Sequence, residues 1–148
     1  MSNETRGALR RRLRKARRAL SRTEQLRASR KLFLLLVQHP LFRRSRHLAF
    51  YLPNDGEIDP TPLMRRANRM GKQCYLPVVT GWPRDRMRFQ RIRRSERWSR
   101  NRFGIAEPRP CPGRQCPAWR LDLVLMPLVG FDAQGNRLGM GGGPSTFH

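Results

Sequence analysis

Residues 48–79 read L-A-F-Y-L-P-N-D-G-E-I-D-P-T-P-L-M-R-R-A-N-R-M-G-K-Q-C-Y-L-P-V-V, and this stretch decides the fold class. Leu48, Ala49, Phe50, Tyr51 and Leu52 stand together between turn residues, the pattern of a buried strand that ends at Pro53-Asn54-Asp55-Gly56. Asp59-Pro60-Thr61-Pro62 is a helix entry, with Asp59 or Thr61 as cap and proline in the first turn. Leu63, Met64, Ala67 and Met70 supply the apolar face of that helix, and Gly71 ends it. Gln73 to Val79 is the next strand. Strand, helix and strand within about thirty residues form a βαβ unit, whose two strands run parallel.

Toward the N-terminus, Leu9, Leu13, Ala16 and Leu20 recur at helical spacing among arginines. They predict an amphipathic helix with a strongly basic face, packed on the body by a narrow apolar stripe. Ser21-Arg22-Thr23-Glu24 is a capping box, so a second helix starts there, runs toward Gln38 and is stopped by His39-Pro40. Toward the C-terminus, Met87, Phe89 and Ile92 alternate with polar residues, which predicts a half-exposed strand near the sheet edge. Residues 96–119 are proline-rich and read mostly as loop. Leu121 to Pro127 is the clearest candidate for a buried strand, and it leads into Arg137-Leu138-Gly139-Met140-Gly141-Gly142-Gly143.

The chain has 148 residues, room for one compact domain with a real core. Its apolar runs are too short to span a bilayer, and no apolar signal-peptide region follows the basic N-terminus. Formal charge is +22; the lysines are Lys15, Lys31 and Lys72, so 29 of the 32 basic residues are arginine. Such a field attracts polyanions without choosing among them. A GC-rich coding sequence and solvated helix faces explain the same bias equally well. Cys74, Cys111 and Cys116 are odd in number and match no disulfide framework, so a reduced, cytoplasmic setting is expected. Cys111 and Cys116 fall short of the four ligands of a closed zinc site. His39, His47 and His148 are too scattered to suggest a catalytic pair.

Two places carry chemistry. Four glycines between Gly139 and Gly143 allow left-handed backbone and inward-turned amides, an anion nest to which Arg137 adds a guanidinium fork. Neither the Walker nor the dinucleotide glycine pattern is matched, and composition leaves a flexible tail as an equal alternative. At the loop after the first strand, Asp55-Gly56 reads as the bend and Asp59 as the helix cap. Glu57 has no such structural duty.

Four segments in order resemble the 5-formyltetrahydrofolate cyclo-ligase family, also called methenyltetrahydrofolate synthetases, from about Arg6 to Gly143. They are the basic helix R-G-A-L-R-R-R-L-R-K-A-R-R-A-L-S, the loop F-Y-L-P-N-D-G-E-I-D, the segment F-G-I-A-E-P, and residues 122–143, D-L-V-L-M-P-L-V-G-F-D-A-Q-G-N-R-L-G-M-G-G-G. The resemblance implies a three-layer α/β fold with a mostly parallel central sheet flanked by helices. It implies an ATP- and Mg2+-dependent cyclisation of 5-formyltetrahydrofolate, with or without a polyglutamate tail, to 5,10-methenyltetrahydrofolate, with release of ADP and phosphate. In that chemistry the formyl oxygen attacks the γ-phosphate, and N10 then closes the ring and expels phosphate. Carried over by position, Arg6 and Arg10 would contact ATP, and Arg137, Leu138, Gly139, Met140, Gly141, Gly142 and Gly143 would wrap its phosphates. Leu52 and Glu57 would line the folate site. A cytoplasmic monomer is the expected form.

After the triple glycine the family continues with an aromatic pair and an aspartate, typically Y-Y-D, whereas this sequence reads Pro144-Ser145-Thr146. The folate-closing aromatic and the Mg2+-binding aspartate are not at their positions. The expectation is therefore a single domain over residues 1–148, C-terminally incomplete, without the usual C-terminal helix and strand or a metal ligand of its own, and with its catalysis in question. A coding sequence interrupted just after Gly143 would produce this pattern. The competing function is a basic, nonspecific RNA-binding protein on an α/β scaffold. It rests on the Arg17-Arg18, Arg43-Arg44, Arg65-Arg66 and Arg93-Arg94 pairs and has no aromatic RNA-binding motif to support it.

Overall fold

The structure, a computed structural model, describes residues 4–79, 87–93, 96–100, 104 and 106–139. Helix α1 (Arg6–Arg18) opens on Thr5, whose Oγ1 accepts the Ala8 amide, and closes with Lys15, Arg17 and Arg18 against the negative end of its dipole. Helix α2 (Arg22–Val37) starts from the predicted capping box: Ser21 accepts the Glu24 amide, and Glu24 accepts that of Ser21. His39-Pro40 ends α2 but also begins a short helix, α3 (Pro40–Arg44), in which His39 Nδ1 accepts the Leu41 amide.

The βαβ unit forms as read. Strand β1 (His47–Ala49) pairs parallel with β2 (Gln73–Val79), Leu48 opposite Cys74, and α4 (Thr61–Arg69) crosses between them. Asp59 Oδ1 accepts the Thr61 amide at the start of α4. At its end Gly71 takes φ +76 while its own amide bonds Asn68 and that of Lys72 bonds Ala67, a Schellman closure. Strand β3 (Met87–Arg91) runs antiparallel to β2. A hairpin of β4 (Trp98–Arg100) and β5 (Ala106–Pro108) follows, then β6 (Gln115–Cys116) and β7 (Leu123–Val124). The last pair is β8 (Gly130–Phe131) with β9 (Arg137–Leu138).

The five-stranded sheet has the order β6-β3-β2-β1-β7. It is mixed: β2, β1 and β7 are parallel, and β3 and β6 are antiparallel to their neighbours. On one face Leu48, Phe50 and Leu76 meet Phe42 of α3, Leu63 and Ala67 of α4, and Phe33 and Leu36 of α2. Fully burying a side chain such as Phe50 contributes about 1.5–3 kcal/mol, and truncating it to alanine costs about 3–5 kcal/mol. On the other face Ala49, Tyr75 and Phe89 are covered by Cys116, Ala118, Leu121 and Val124, mostly irregular chain around a 3-10 turn.

One strand expectation holds and one needs correcting. Residues 87–92 form a strand near the sheet edge, as read: β3 is second in the sheet, beside the two-residue edge strand β6, and Phe89 and Gln90 are its buried part. Their cover is the return of residues 109–116, where Gln90 Nε2 donates to the Arg109 carbonyl and Gln90 Oε1 accepts the Cys111 amide. Residues 121–127 are not the deeply buried strand expected, since β7 is two residues long and pairs only with β1 among the described residues.

Candidate functional site

Strands β1 and β7 are parallel, so the loops that leave them, residues 50–60 and 125–139, emerge at the same carboxyl edge of the sheet. This is the edge where open α/β sheets bind ligands. Helix α1 spans both loops. Near its start, Arg10 Nε donates to the Gly139 carbonyl at 2.9 Å. Two turns later, about 10 Å along the axis, Arg17 Nη2 donates to Asp55 Oδ2 at 3.2 Å, and Arg18 donates to both Asp55 oxygens. Between these points Leu13 packs on the backbone of Gly130: a Cβ there would stand 2.6 Å from Leu13 Cδ1.

The 125–139 side is a hairpin built by its own turn. Asp132 Oδ1 accepts the amides of Gln134 and Asn136, Asp132 Oδ2 accepts the Asn136 side-chain amide, and Gly135 supplies φ +84. The turn sets Arg137 opposite Phe131, both exposed, and Leu138 accepts the Val129 amide. Of the predicted phosphate loop, the structure thus ties Gly139 to α1 through Arg10, sets Leu138 in the hairpin beside it, and leaves Arg137 open to solvent. Arg6 is exposed one turn before Arg10, on the same side of α1. Met140, Gly141, Gly142 and Gly143 lie outside the described residues.

On the other side, Asp55 and Gly56 adopt φ 53 and φ 73, forming a tight left-handed bend. Glu57 follows it and is buried. Its Oε1 accepts the Asn54 amide at 3.0 Å, while Oε2 has no partner among the described residues. Burial pushes the Glu57 carboxyl above the usual range, opposed by the Asn54 N–H and the Arg17 charge. A buried acceptor without a donor is costly in a finished core and suits a site that receives a hydrogen-bonding ligand. Tyr51 shapes the same loop by donating to the Ile58 carbonyl at 2.6 Å, and Leu52 packs half-buried against the first core cluster.

Residue patterns missed Arg17, Arg18 and the second duty of Asp55. The bend accounted for Asp55 locally, and nothing in the spacing tied it to a helix nearly forty residues earlier. The same contact removes one support for an RNA-binding face, because the Arg17-Arg18 pair is engaged by Asp55. A separate cleft of about 440 Å³, lined by His47, Tyr75, Arg91, Arg114 and Arg120 among others, holds none of the predicted site residues. No helix among the described residues is long and apolar enough to cross a membrane.

Residues 2–145 match the 5-formyltetrahydrofolate cyclo-ligase family. The chain belongs to this family. It is 34% identical over 131 residues to the 5-formyltetrahydrofolate cyclo-ligase of Escherichia coli K12, covering 88% of this chain and 72% of that protein. With the Haemophilus influenzae 5-formyltetrahydrofolate cyclo-ligase it shares 34% identity over 147 residues, 97% of this chain and 76% of the relative. The solved Aquifex aeolicus 5,10-methenyltetrahydrofolate synthetase superposes with a TM-score of 0.80 at 33% identity, over 93% of this chain and 68% of that one. A Mycoplasma pneumoniae 5,10-methenyltetrahydrofolate synthetase superposes with a TM-score of 0.62 at 21% identity, over 92% and 71% of the two chains, a likeness of fold. In this cyclo-ligase fold, α1 and the two loops it joins form the candidate active site.

Among the described residues no group of three histidine, cysteine or acidic side chains could hold a metal ion. Asp55 is taken by two arginines, and Glu57 is buried with one oxygen on a backbone amide. The described residues do not fit a protein-held Mg2+.

Proposed function

We propose that this chain acts as a 5-formyltetrahydrofolate cyclo-ligase, closing 5-formyltetrahydrofolate to 5,10-methenyltetrahydrofolate at the expense of ATP. The observation that carries the site assignment is the Arg10–Gly139 hydrogen bond, which brings a basic helix onto the start of the glycine-rich loop. Arg10 spends its Nε on that carbonyl and keeps its terminal nitrogens for a phosphate. Arg6, Arg10 and Arg137, with the backbone from Leu138 through Gly143, bind the triphosphate. Leu52 and Glu57 bind the folate. The reaction needs the formyl oxygen in line with the γ-phosphate and developing negative charge neutralised, tasks that fall to positioning and to guanidinium groups. The formyl oxygen takes the γ-phosphoryl group of ATP, and ADP leaves with the bridging oxygen. N10 then adds to the activated carbon, and the phosphate leaves with the former formyl oxygen.

A polyglutamate tail on the folate suits the chain's basic surface, and the enzyme works as a cytoplasmic monomer. The test is the near-ultraviolet absorbance of methenyltetrahydrofolate on adding ATP to enzyme and 5-formyltetrahydrofolate. The companion sample carries Tyr-Tyr-Asp after Gly143 and a full cyclo-ligase C-terminal portion. ATP-dependent growth of the band in both is the expected result. Growth in the companion alone assigns turnover to the longer form, and flat traces from both overturn the reading.

A further inference from the structure

The sheet face built on Ala49, Tyr75 and Phe89 ends in the cleft of about 440 Å³, at the edge opposite the candidate active site. His47 opens β1, Arg91 closes the antiparallel β3, Arg114 precedes β6, and Arg120 lies in the 3-10 turn before β7. The topology thus delivers all four to the amino edge of the parallel strands. Tyr75 stands among them, opposite Arg91 in register. Its hydroxyl donates to Gln73 Oε1 at 3.2 Å and meets His47 Nδ1 at 3.1 Å. The imidazole is thereby held at the cleft wall, with Nε2 outside this chain of bonds.

Three guanidinium groups line the cleft, and they differ in what is left to them. Arg114 is a fixture: its side chain is 13% exposed, Nη1 donates to the Arg91 carbonyl and to Glu96, and Nη2 reaches the second Glu96 oxygen. Its Nε is buried with no partner among the described residues. A buried donor without an acceptor is costly in a finished core and fits a place that receives an anion. Arg91 and Arg120 are exposed, and neither pairs with a carboxylate among the described residues. The Arg120 guanidinium lies over the Trp119 ring at 5.3 Å, a stacking that leaves its in-plane N–H groups available. The two acids near the cleft are already engaged, Glu96 by Arg114 and Asp122 by the amides of Arg46 and His47. The cleft therefore carries uncompensated positive charge, which its walls focus.

We propose that this cleft is a second anion site, in which Arg91 and Arg120 clamp the phosphate group of a small phosphomonoester. Guanidinium forks match phosphate oxygens in pairs, and two forks from different elements suit a tetrahedral dianion better than a planar carboxylate. The volume falls within the range of about 300–1,000 Å³ usual for small-molecule sites and leaves room for a sugar-sized body beyond the phosphate. A ligand seated there ties the end of β3 to the turn before β7. It lies across the sheet from Arg10 and does not compete for the nucleotide loop, so the inference stands apart from the proposed cyclisation.

The experiment titrates the full chain with inorganic phosphate, ribose 5-phosphate and succinate, at an ionic strength held constant with sodium chloride. Proton–nitrogen NMR follows the His47 amide and those within residues 113–120, in the wild type, Arg91→Gln, Arg120→Gln, the double variant and Arg10→Ala. Expected is a saturable one-to-one shift of these amides by both phosphates, weaker by about threefold in each single variant and by about tenfold or more in the double one. Arg10→Ala should bind at the cleft within about twofold of the wild type. Ribose 5-phosphate binding tighter than inorganic phosphate assigns the site to a phosphomonoester, and equal affinities assign it to free phosphate. Succinate binding as tightly as either overturns the phosphate reading. Shifts that spread over the arginine-rich surface without saturating, a double variant that binds as the wild type does, or loss of the cleft shifts in Arg10→Ala overturn the site itself. Should the double variant not fold, the two single variants carry the comparison. No probe contains a nucleotide or a folate, so a chain that fails to turn over 5-formyltetrahydrofolate leaves this result unaffected.

Discussion

Arg10 and Gly139 are 129 residues apart in the chain and joined by a 2.9 Å hydrogen bond from a side chain to a backbone carbonyl. The bond ties the first helix to the backbone at Gly139 and uses only the Nε of the guanidinium. Arg10→Ala is expected to weaken ATP binding about tenfold, or ~1.4 kcal/mol. Arg10→Lys should recover little, because one ammonium cannot bond the carbonyl and fork a phosphate together. Calorimetry at constant ionic strength decides it; a lysine variant binding ATP as the wild type does would assign Arg10 no more than its charge.

The contact of Leu13 with Gly130 makes a separate claim about the same helix. Alanine at 130 would bring a Cβ to 2.6 Å from Leu13 Cδ1, so α1 must move or the hairpin must bend. Gly130→Ala should cost about 1–3 kcal/mol in urea unfolding. Gly113→Ala, whose Cβ meets nothing within 4 Å, should stay within about 0.5 kcal/mol of the parent. Adding Leu13→Ala to Gly130→Ala should cost less than the two changes summed, since the second removes the collision created by the first.

The two helix contacts also show where sequence reading reaches. The capping box at Ser21 and the glycine stop at Gly71 were legible because their partners lie within two turns of chain, and the βαβ unit because each of its elements carries its own apolar pattern and turn residues. The glycine-rich loop was legible from composition only as one of two options, an anion nest or a tail, and most of it lies outside the described residues. Pairings set by tertiary return were not legible: the alternation in Met87–Arg91 could not reveal that residues 109–116 would cover Phe89 and Gln90. Asp55 shows the same limit at the site, because its turn duty is local and its arginine partners are not.

Gln90 is fully buried and bonded at both ends of its amide, to the Arg109 carbonyl at 2.9 Å, the Cys111 amide at 2.7 Å and the Gln115 side chain at 3.1 Å. Leucine would fill similar space while leaving the Arg109 carbonyl and the Cys111 amide without their partner. Gln90→Leu should destabilise the protein by about 2–3 kcal/mol despite its greater hydrophobicity, and amide hydrogen exchange should rise in residues 109–116 before it rises in β1. An equal or higher unfolding midpoint would mean that the two backbone groups find water at little cost.

Asp122 gives a pH-dependent handle on the parallel half of the sheet. Its Oδ2 accepts the amides of Arg46 and His47, both at 2.9 Å, tying the entry of β7 to the entry of β1. The His47 and then the Arg46 amide hold its carboxyl below the usual range. The native state therefore binds fewer protons here than the unfolded chain. The stabilisation is full above the unfolded value of about 3.9 and drains away as pH falls through the lower native one. Asp122→Asn should be less stable than the wild type at neutral pH, with the gap closing below about pH 4. Asp55, held low first by Arg18, and Asp132, held low first by Asn136, remain in both proteins. The difference between the two stability curves thus isolates Asp122. Urea unfolding at steps from neutral to about pH 3 provides the curves, and a constant gap over that range would show that the charge of Asp122 contributes nothing to the strand junction.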